Sequence, residues 1–213
     1  YGFQRIETPV LESASLFTRS VGTDTDIVSK EMYAFVELGV EKIALRPEGT
    51  AGVARSYIEH GMLNQPQPVK LFYYGPMFRH DRPQAGRQRQ FWQYGFEVIG
   101  EQNAVIDAQL ITMSYKFYAD LGLSIQIEIN SVGCQQCRPG YLKVLTAYLK
   151  NIKKDLCEAC QVRMLKNPLR VLDCKEKGCQ EFMADAPQIL DHLCTECKDH
   201  FVLVLEYLDE LEV

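Results

Sequence analysis

Residues 71–79 and 89–99 alternate apolar, largely aromatic positions with polar ones, and residues 80–88 between them carry Pro83 and Gly86. That pattern predicts two strands joined as a β-hairpin. Strand side chains point alternately to opposite faces. One parity of the second run therefore collects Arg87, Arg89, Phe91, Gln93, Gly95 and Glu97, and the other collects Gln88, Gln90, Trp92, Tyr94, Phe96 and Val98. The second set reads as a packing face. The first lines up two guanidinium groups, a ring, an amide and a carboxylate, with a gap at Gly95, and suits a ligand.

Around this hairpin the pattern predicts a short strand over 5–12 closed by Pro9, a helical turn over 13–20, and a strand pair at 31–37 and 42–45 around Gly39. A helix follows over 49–60, with apolar spacing at Ala51, Ala54 and Ile58 and a stop at Gly61. An apolar helix over 104–121 ends at Gly122, and residues 125–129 alternate isoleucine with polar residues as a strand would. Mixed elements around an antiparallel hairpin predict an α+β fold. No glycine-rich turn follows a strand and no Walker lysine motif is present, so a nucleotide here must be held by arginines.

The 213 residues allow one domain with a small appended one. The longest apolar run is far too short to span a bilayer and no signal peptide is visible, so a cytoplasmic location without membrane contact is expected. The chain starts at Tyr1 without methionine and stops at Val213 inside the amphipathic pattern Phe201, Leu205, Leu208, as expected for a piece of a longer protein. A net charge of -5 disfavours non-specific nucleic-acid binding. The hairpin nevertheless places Arg79, Arg82, Arg87 and Arg89 within eleven residues, opposed by Asp81 alone. Guanidinium forks bind phosphate bidentately and a ring such as Phe91 can stack on a base, which together would suit ATP; a solvated basic hairpin is the competing reading.

Glu48 and Thr50 fall at the turn into the helix over 49–60. They either cap that helix or hold a ligand's amino group by charge-assisted hydrogen bonds. All eight cysteines lie between Cys134 and Cys197. Cys134/Cys137, Cys157/Cys160 and Cys194/Cys197 are C-x2-C pairs, and Cys174/Cys179 are five apart. Without an export signal the spacing favours two closed four-thiolate Zn2+ sites over disulfides, with free reduced thiols as the alternative. Closeness in sequence groups Cys157, Cys160, Cys174 and Cys179, leaving Cys134, Cys137, Cys194 and Cys197. His60, His80, His192 and His200 receive no catalytic role, the last two being weak substitute metal ligands at best.

FRHDRPQAGRQRQF (78–91) resembles motif 2 of the class II aminoacyl-tRNA synthetases, and with FWQYGFEVIG (91–100) it is similar to the histidyl-tRNA synthetase version. LRPEGTAGVAR (45–55) resembles that family's amino-acid-binding segment, YGFQRIETPVLE (1–12) the end of motif 1, GTDTDIVSKEMYAF (22–35) the segment after it, and NPLRVLDCK (167–175) part of its insertion region. The resemblance implies a class II synthetase-like antiparallel sheet flanked by helices, with residues 1–131 as a partial catalytic core and 132–213 as a small, mostly helical, Cys-rich insertion. It implies ATP- and Mg2+-dependent activation of histidine to histidyl-adenylate, transfer to tRNA(His), and a homodimer in which the region around 5–20 takes part.

Residue by residue, Arg79 matches the arginine that clamps the α-phosphate and the substrate carboxylate, Phe91 the ring that stacks on adenine, and Arg87 a contact to the ATP phosphates. Glu48, Thr50 and Gln93 match the residues that hold the α-amino group, Gln93 serving catalysis beside Arg79, and Glu97 matches the carboxylate that reads the imidazole N–H. Arg82 and Gln84 match positions near the acceptor end of the tRNA. Asp81 stands among the ATP contacts where motif 2 usually has glutamate, and Trp92 replaces a usual histidine on the expected packing face. Many members lack the cysteines, so zinc is not required for the family's chemistry. Motif 3 and the anticodon-binding domain are not in the sequence, so the piece alone is expected to be inactive. The competing class is a synthetase-like binding module such as the regulatory subunit of ATP phosphoribosyltransferase.

Overall fold

The computed structural model describes residues 1–22, 25, 27–36, 42–82 and 84–213. The turn expected at Gly39 and the punctuation at Pro83 lie outside the described residues. The chain forms two compact units, Tyr1–Gln102 and Asn103–Val213.

The first unit is organised on the hairpin. β5 (Val69–Phe78) pairs antiparallel with β6 (Gln90–Ile99) without a slip, from Val69 opposite Ile99 to Phe78 opposite Gln90, and the Arg79 amide donates to the Arg89 carbonyl one step further. Residues that share a parity in β6 therefore meet residues of one parity in β5. The short β1 (Gln4–Arg5) adds to β5 in parallel, making a sheet of order β1-β5-β6. A second, antiparallel sheet has the order β2-β4-β3, from Leu11–Ser13, Lys42–Leu45 and Ala34–Val36. The strand expected over 5–12 is thus two short strands in different sheets, because Pro9 lies between them and the segment must cross from one sheet to the other.

Two helices cover these sheets. α1 (Ala14–Val21) follows β2 directly, with the Ser13 hydroxyl accepting from the Ser15 amide, and buries Leu16 and Phe17 against Ala44 and Ala51. α2 (Thr50–Glu59) ends at His60, with Gly61 left-handed beyond it. Its buried residues are Ala51, Gly52, Val53 and Tyr57, whereas Ala54 is exposed and Ile58 is 76% exposed, contrary to the apolar spacing expected from sequence. The helix has two adjacent buried faces: Ala51 joins the α1 cluster, and Val53 and Tyr57 pack on Val69, Leu71, Tyr73 and Met77 of β5.

That packing reverses one expectation about the hairpin. α2 covers the parity of β5 and β6 that carries Phe91, Ile99 and Met77. The opposite parity, read from sequence as the packing face, is left open: Tyr74 is 57% and Trp92 59% exposed, stacked on each other at 4.9 Å. Strand alternation separates two faces but does not say which one a helix will cover.

The second unit is helical. α3 (Ala104–Asp120), capped by the Asn103 side chain, packs Ala104 and Ala108 on Val204 and Leu208 of α8 (Thr195–Glu210). The buried stripe of α8 is therefore Val204 and Leu208, and Leu205, expected on it, is 42% exposed. Residues 125–129 are not a strand: among the described residues none pairs with them, although Ile129 still turns into the α3–α8 core. A period-2 pattern turns alternate side chains to one side, but without a partner strand it makes no ladder. Between 137 and 195 the chain builds α4 (Arg138–Asn151), α5 (Glu158–Lys166), α6 (Leu169–Leu172) and α7 (Lys177–Met183) around Tyr141, Leu145, Leu149, Met164 and Val171. The fold is thus mixed α and β, with antiparallel pairing in the first unit and the cysteines in the helical second unit.

Candidate functional site

The turn from β4 into α2 supplies the first part of the site. Arg46 is buried and anchors the turn from below: Nε donates to the Pro76 carbonyl at 2.9 Å and Nη1 to the Thr8 carbonyl at 2.6 Å. Burial lowers the Arg46 pKa, and the carbonyl acceptors replace the lost water. Gly75 makes room for it, since a Cβ there would collide with the guanidinium. Above this anchor Glu48 accepts from the amides of Thr50 (2.6 Å) and Ala51 (3.0 Å), capping α2 with both oxygens. Helix capping by Glu48 is therefore real, and it fixes the carboxylate at the positive end of the helix.

Thr50 reaches across to β6, its hydroxyl donating to Glu97 Oε1 at 2.7 Å. Burial pushes the Glu97 carboxyl above the ordinary carboxylate range; the Thr50 hydrogen bond opposes this and nearby Glu48 adds to it. Glu48 and Thr50, together with Glu97 from 47 residues further along the chain, thus form one cluster. Tyr73 lies in its midst: a Cβ on either Gly49 or Gly95 would run into the tip of its ring. The gap expected at Gly95 is real but filled by Tyr73, whose phenol burial pushes up in pKa. Sequence reading passed over Tyr73, Arg46 and the Pro47 carbonyl. The available signal was glycine inside strands at 75 and 95, which marks close approach.

The second part lies further along the same face. Arg79 Nε donates to the Pro47 carbonyl at 2.9 Å, which ties the end of β5 to the residue before Glu48, and its guanidinium sits 5.1 Å above the centre of the Phe91 ring. Among the described residues the two Nη atoms of Arg79 take no hydrogen bond. Gln93, opposite Gly75, falls between Phe91 and Glu97 on the strand, and its buried Oε1 has no hydrogen-bond partner. At about 3.4 Å per residue, Phe91 and Glu97 mark the two ends of a row about 20 Å long.

The loop beyond carries the remaining hairpin residues. Asp81 accepts from the Arg82 amide at 2.7 Å and from Arg87 Nη1 at 3.0 Å. Gln84 and Arg87 bridge through their backbones around Gly86, which is left-handed. Arg82, Gln84, Arg87 and Arg89 are exposed. The structure therefore joins Arg79 to the Glu48 turn, and pairs Arg87 with Asp81 in the loop rather than with the cluster. His80 is held by its amide to the Glu31 carbonyl and its ring lies edge-on to Tyr33.

In the second unit the eight sulfurs gather in two fours, Cys134/Cys137/Cys194/Cys197 and Cys157/Cys160/Cys174/Cys179, each with all sulfurs within 4.8 Å of one another. Hydrogen bonds, first from the Cys194 backbone, hold the Cys137 thiol down to about 6, while burial pushes the Cys160 thiol up. His200 is no part of either group; its Nε2 meets Asp107 Oδ2 at 2.8 Å across α3 and α8.

Comparison with known proteins places the chain in a family. A family model described as histidyl-tRNA synthetase matches residues 1–137. The chain is 51% identical to the histidine–tRNA ligase of Dehalococcoides mccartyi, over all of this chain and 51% of that protein, so it spans about half the length of the curated relatives it matches. Among solved structures, the apo histidyl-tRNA synthetase of S. aureus superimposes with a TM-score of 0.73 at 38% identity, covering all of this chain and 47% of that one. A Bacillus halodurans protein described as an ATP phosphoribosyltransferase regulatory subunit/histidyl-tRNA synthetase shares the fold, with a TM-score of 0.62 at 21% identity over 98% of this chain and 56% of that one. With the family model covering more than half of the chain, and the Glu48 turn joined to the arginine hairpin, the chain belongs to the histidyl-tRNA synthetase family.

Proposed function

We propose that the protein is a histidine–tRNA ligase, which activates histidine with ATP to histidyl-adenylate and transfers the histidyl group to tRNA(His). The observation that carries this reading is the buried, unpartnered Oε1 of Gln93 on the same face as Glu97 and the Arg79–Phe91 pair. A buried acceptor without a donor is costly, and a substrate ammonium supplies one. Glu48 and Thr50, joined to Glu97 through the Thr50 hydroxyl, add a carboxylate and a hydroxyl for the same ammonium, and Glu97 accepts the imidazole N–H.

Adenine stacks on Phe91, and Arg79, already oriented by Pro47 and the ring, turns its free Nη atoms to the α-phosphate and the histidine carboxylate. The carboxylate oxygen attacks the α-phosphorus in line and pyrophosphate leaves with the broken bond. The terminal ribose hydroxyl of the tRNA then attacks the new carbonyl and releases AMP. Asp81 holds Arg87 in the loop until phosphate is present, and exposed Arg82 and Gln84 meet the acceptor end. Mg2+ would neutralise the phosphates, but among the described residues no carboxylate cluster suits it.

Functionally the chain divides into catalytic core (1–131) and Cys-rich insertion (132–213), each four-cysteine group holding one structural Zn2+. The complete protein works as a cytoplasmic homodimer; among the described residues no helix is long and apolar enough to cross a membrane. Pyrophosphate exchange on the full-length protein, with each of the twenty amino acids offered separately, tests the activity. Exchange with histidine alone is expected. Histidine binding without exchange would instead favour a regulatory module like the one named for the B. halodurans protein.

A further inference from the structure

The two cysteine groups differ in what surrounds them. Cys160, Cys174 and Cys179 are buried in the core formed by Tyr141, Leu145, Leu149, Met164 and Val171, with Cys157 packed against it. The Cys157 and Cys174 sulfurs are 3.9 Å apart, and the Cys157 amide donates to Cys179 Sγ at 3.2 Å. Cys134, Cys137, Cys194 and Cys197 belong to no such cluster. They lie where the chain enters and leaves residues 138–193: Cys137 precedes α4 and Cys194 precedes α8.

The sulfur spacings suit a metal at the outer group. Cys134 to Cys137, Cys134 to Cys194 and Cys137 to Cys197 are 3.5, 3.7 and 3.9 Å. Four sulfurs about 2.3 Å from a tetrahedral Zn2+ stand about 3.8 Å apart, whereas a disulfide needs about 2.05 Å. Amides of Cys134 and Gln136 donate to the sulfurs, as expected around thiolate ligands. Gly133 is left-handed, and a Cβ there would press on the Cys137 sulfur. Arg138 straps the incoming segment through the Val132 and Gly133 carbonyls.

We infer that the two zinc ions have different work: the inner one makes the core of a lobe, residues 138–193, and the outer one is a clasp at its neck that fastens the lobe to the start of α8. The inference rests on the zinc reading given above. The lobe has ties of its own that do not pass through the clasp, from the Tyr141 hydroxyl to the Pro187 carbonyl (3.0 Å) and from the Tyr148 hydroxyl to the Phe182 carbonyl (2.6 Å). Loss of the outer ion therefore frees the neck and leaves the lobe folded; loss of the inner ion melts the lobe.

Native mass spectrometry and segment-resolved amide exchange on the chain test this. Two zinc ions per chain are expected, and one in each of C134S/C197S and C157S/C174S. In C134S/C197S, exchange should quicken at least about tenfold at 131–137 and 192–198 only, with α4 and α5 still protected; in C157S/C174S, α4 to α7 should lose protection. On the unaltered chain, zinc should pass to a chromophoric chelator in two phases, the faster one exposing only the neck. Absence of zinc overturns the zinc reading and the inference together. Two zinc ions with whole-lobe melting in C134S/C197S, or single-phase release with loss of all protection, overturn the inference alone.

Discussion

Arg79 Nε donates to the carbonyl oxygen of Pro47 at 2.9 Å, so the arginine that ends one strand of the hairpin is held by the backbone just ahead of Glu48. The phosphate-facing and amino-facing parts of the row are thereby built as one piece. Arg79→Lys keeps the charge but loses the planar fork and the face laid over Phe91. In the full-length protein, histidine-dependent pyrophosphate exchange should fall by about 10²- to 10³-fold, with thermal stability nearly unchanged.

Glu97→Gln should separate stability from activity. Burial raises the Glu97 pKa above its ordinary value of 4.5, so the folded state holds the proton more tightly than the unfolded chain. The carboxyl's contribution to stability is therefore fully present below about pH 4.5 and is lost as pH rises through the higher folded value. The amide has no such slope and still accepts from Thr50. Urea unfolding at pH 7 should find the variant more stable by roughly 0.5 to 1 kcal/mol. In the full-length protein, activation of histidine should drop by about 10²-fold or more while ATP binding holds.

Gly95→Ala and Gly49→Ala each drive a methyl group into the ring of Tyr73. Each should cost about 1 to 3 kcal/mol in denaturant unfolding. Pairing either one with Tyr73→Leu should cost less than the sum of the two single losses, because the shorter side chain leaves the space the methyl needs. Additive losses would show that the ring is not what the glycines accommodate.

Arg46→Met removes a buried cation and leaves the Thr8 and Pro76 carbonyls without donors. Loss of about 1 to 3 kcal/mol for each carbonyl left unpaired is expected, read as a lowered Tm of the first unit. Arg46→Lys, which cannot serve both carbonyls in one plane, should recover only part of it.

Much of this was legible in the sequence, for identifiable reasons. The hairpin has a ten-residue register without a bulge, so parity sorted Phe91, Gln93 and Glu97 onto one face, and the structure keeps them there. Parity could not say that α2 would cover that face and leave Trp92 in the open, because α2 also packs Ala51 into the cluster with Ala44 of the second sheet. Glycine at 95 announced space, but its occupant sits on the neighbouring strand, opposite it in register. Residues 125–129 carry the alternation of a strand, and nothing local tells a chain whether a neighbour will come to pair with it.

Trp92 is the single tryptophan of the chain and lies between Phe91 and Gln93 in sequence, facing away from both, with its indole against Tyr74. The hairpin thus carries a built-in fluorophore that no ligand on the opposite face touches. A change in its emission on adding ATP or histidine would report movement of the strand itself rather than quenching by contact, giving a label-free titration of the site in which the reporting group need not be altered.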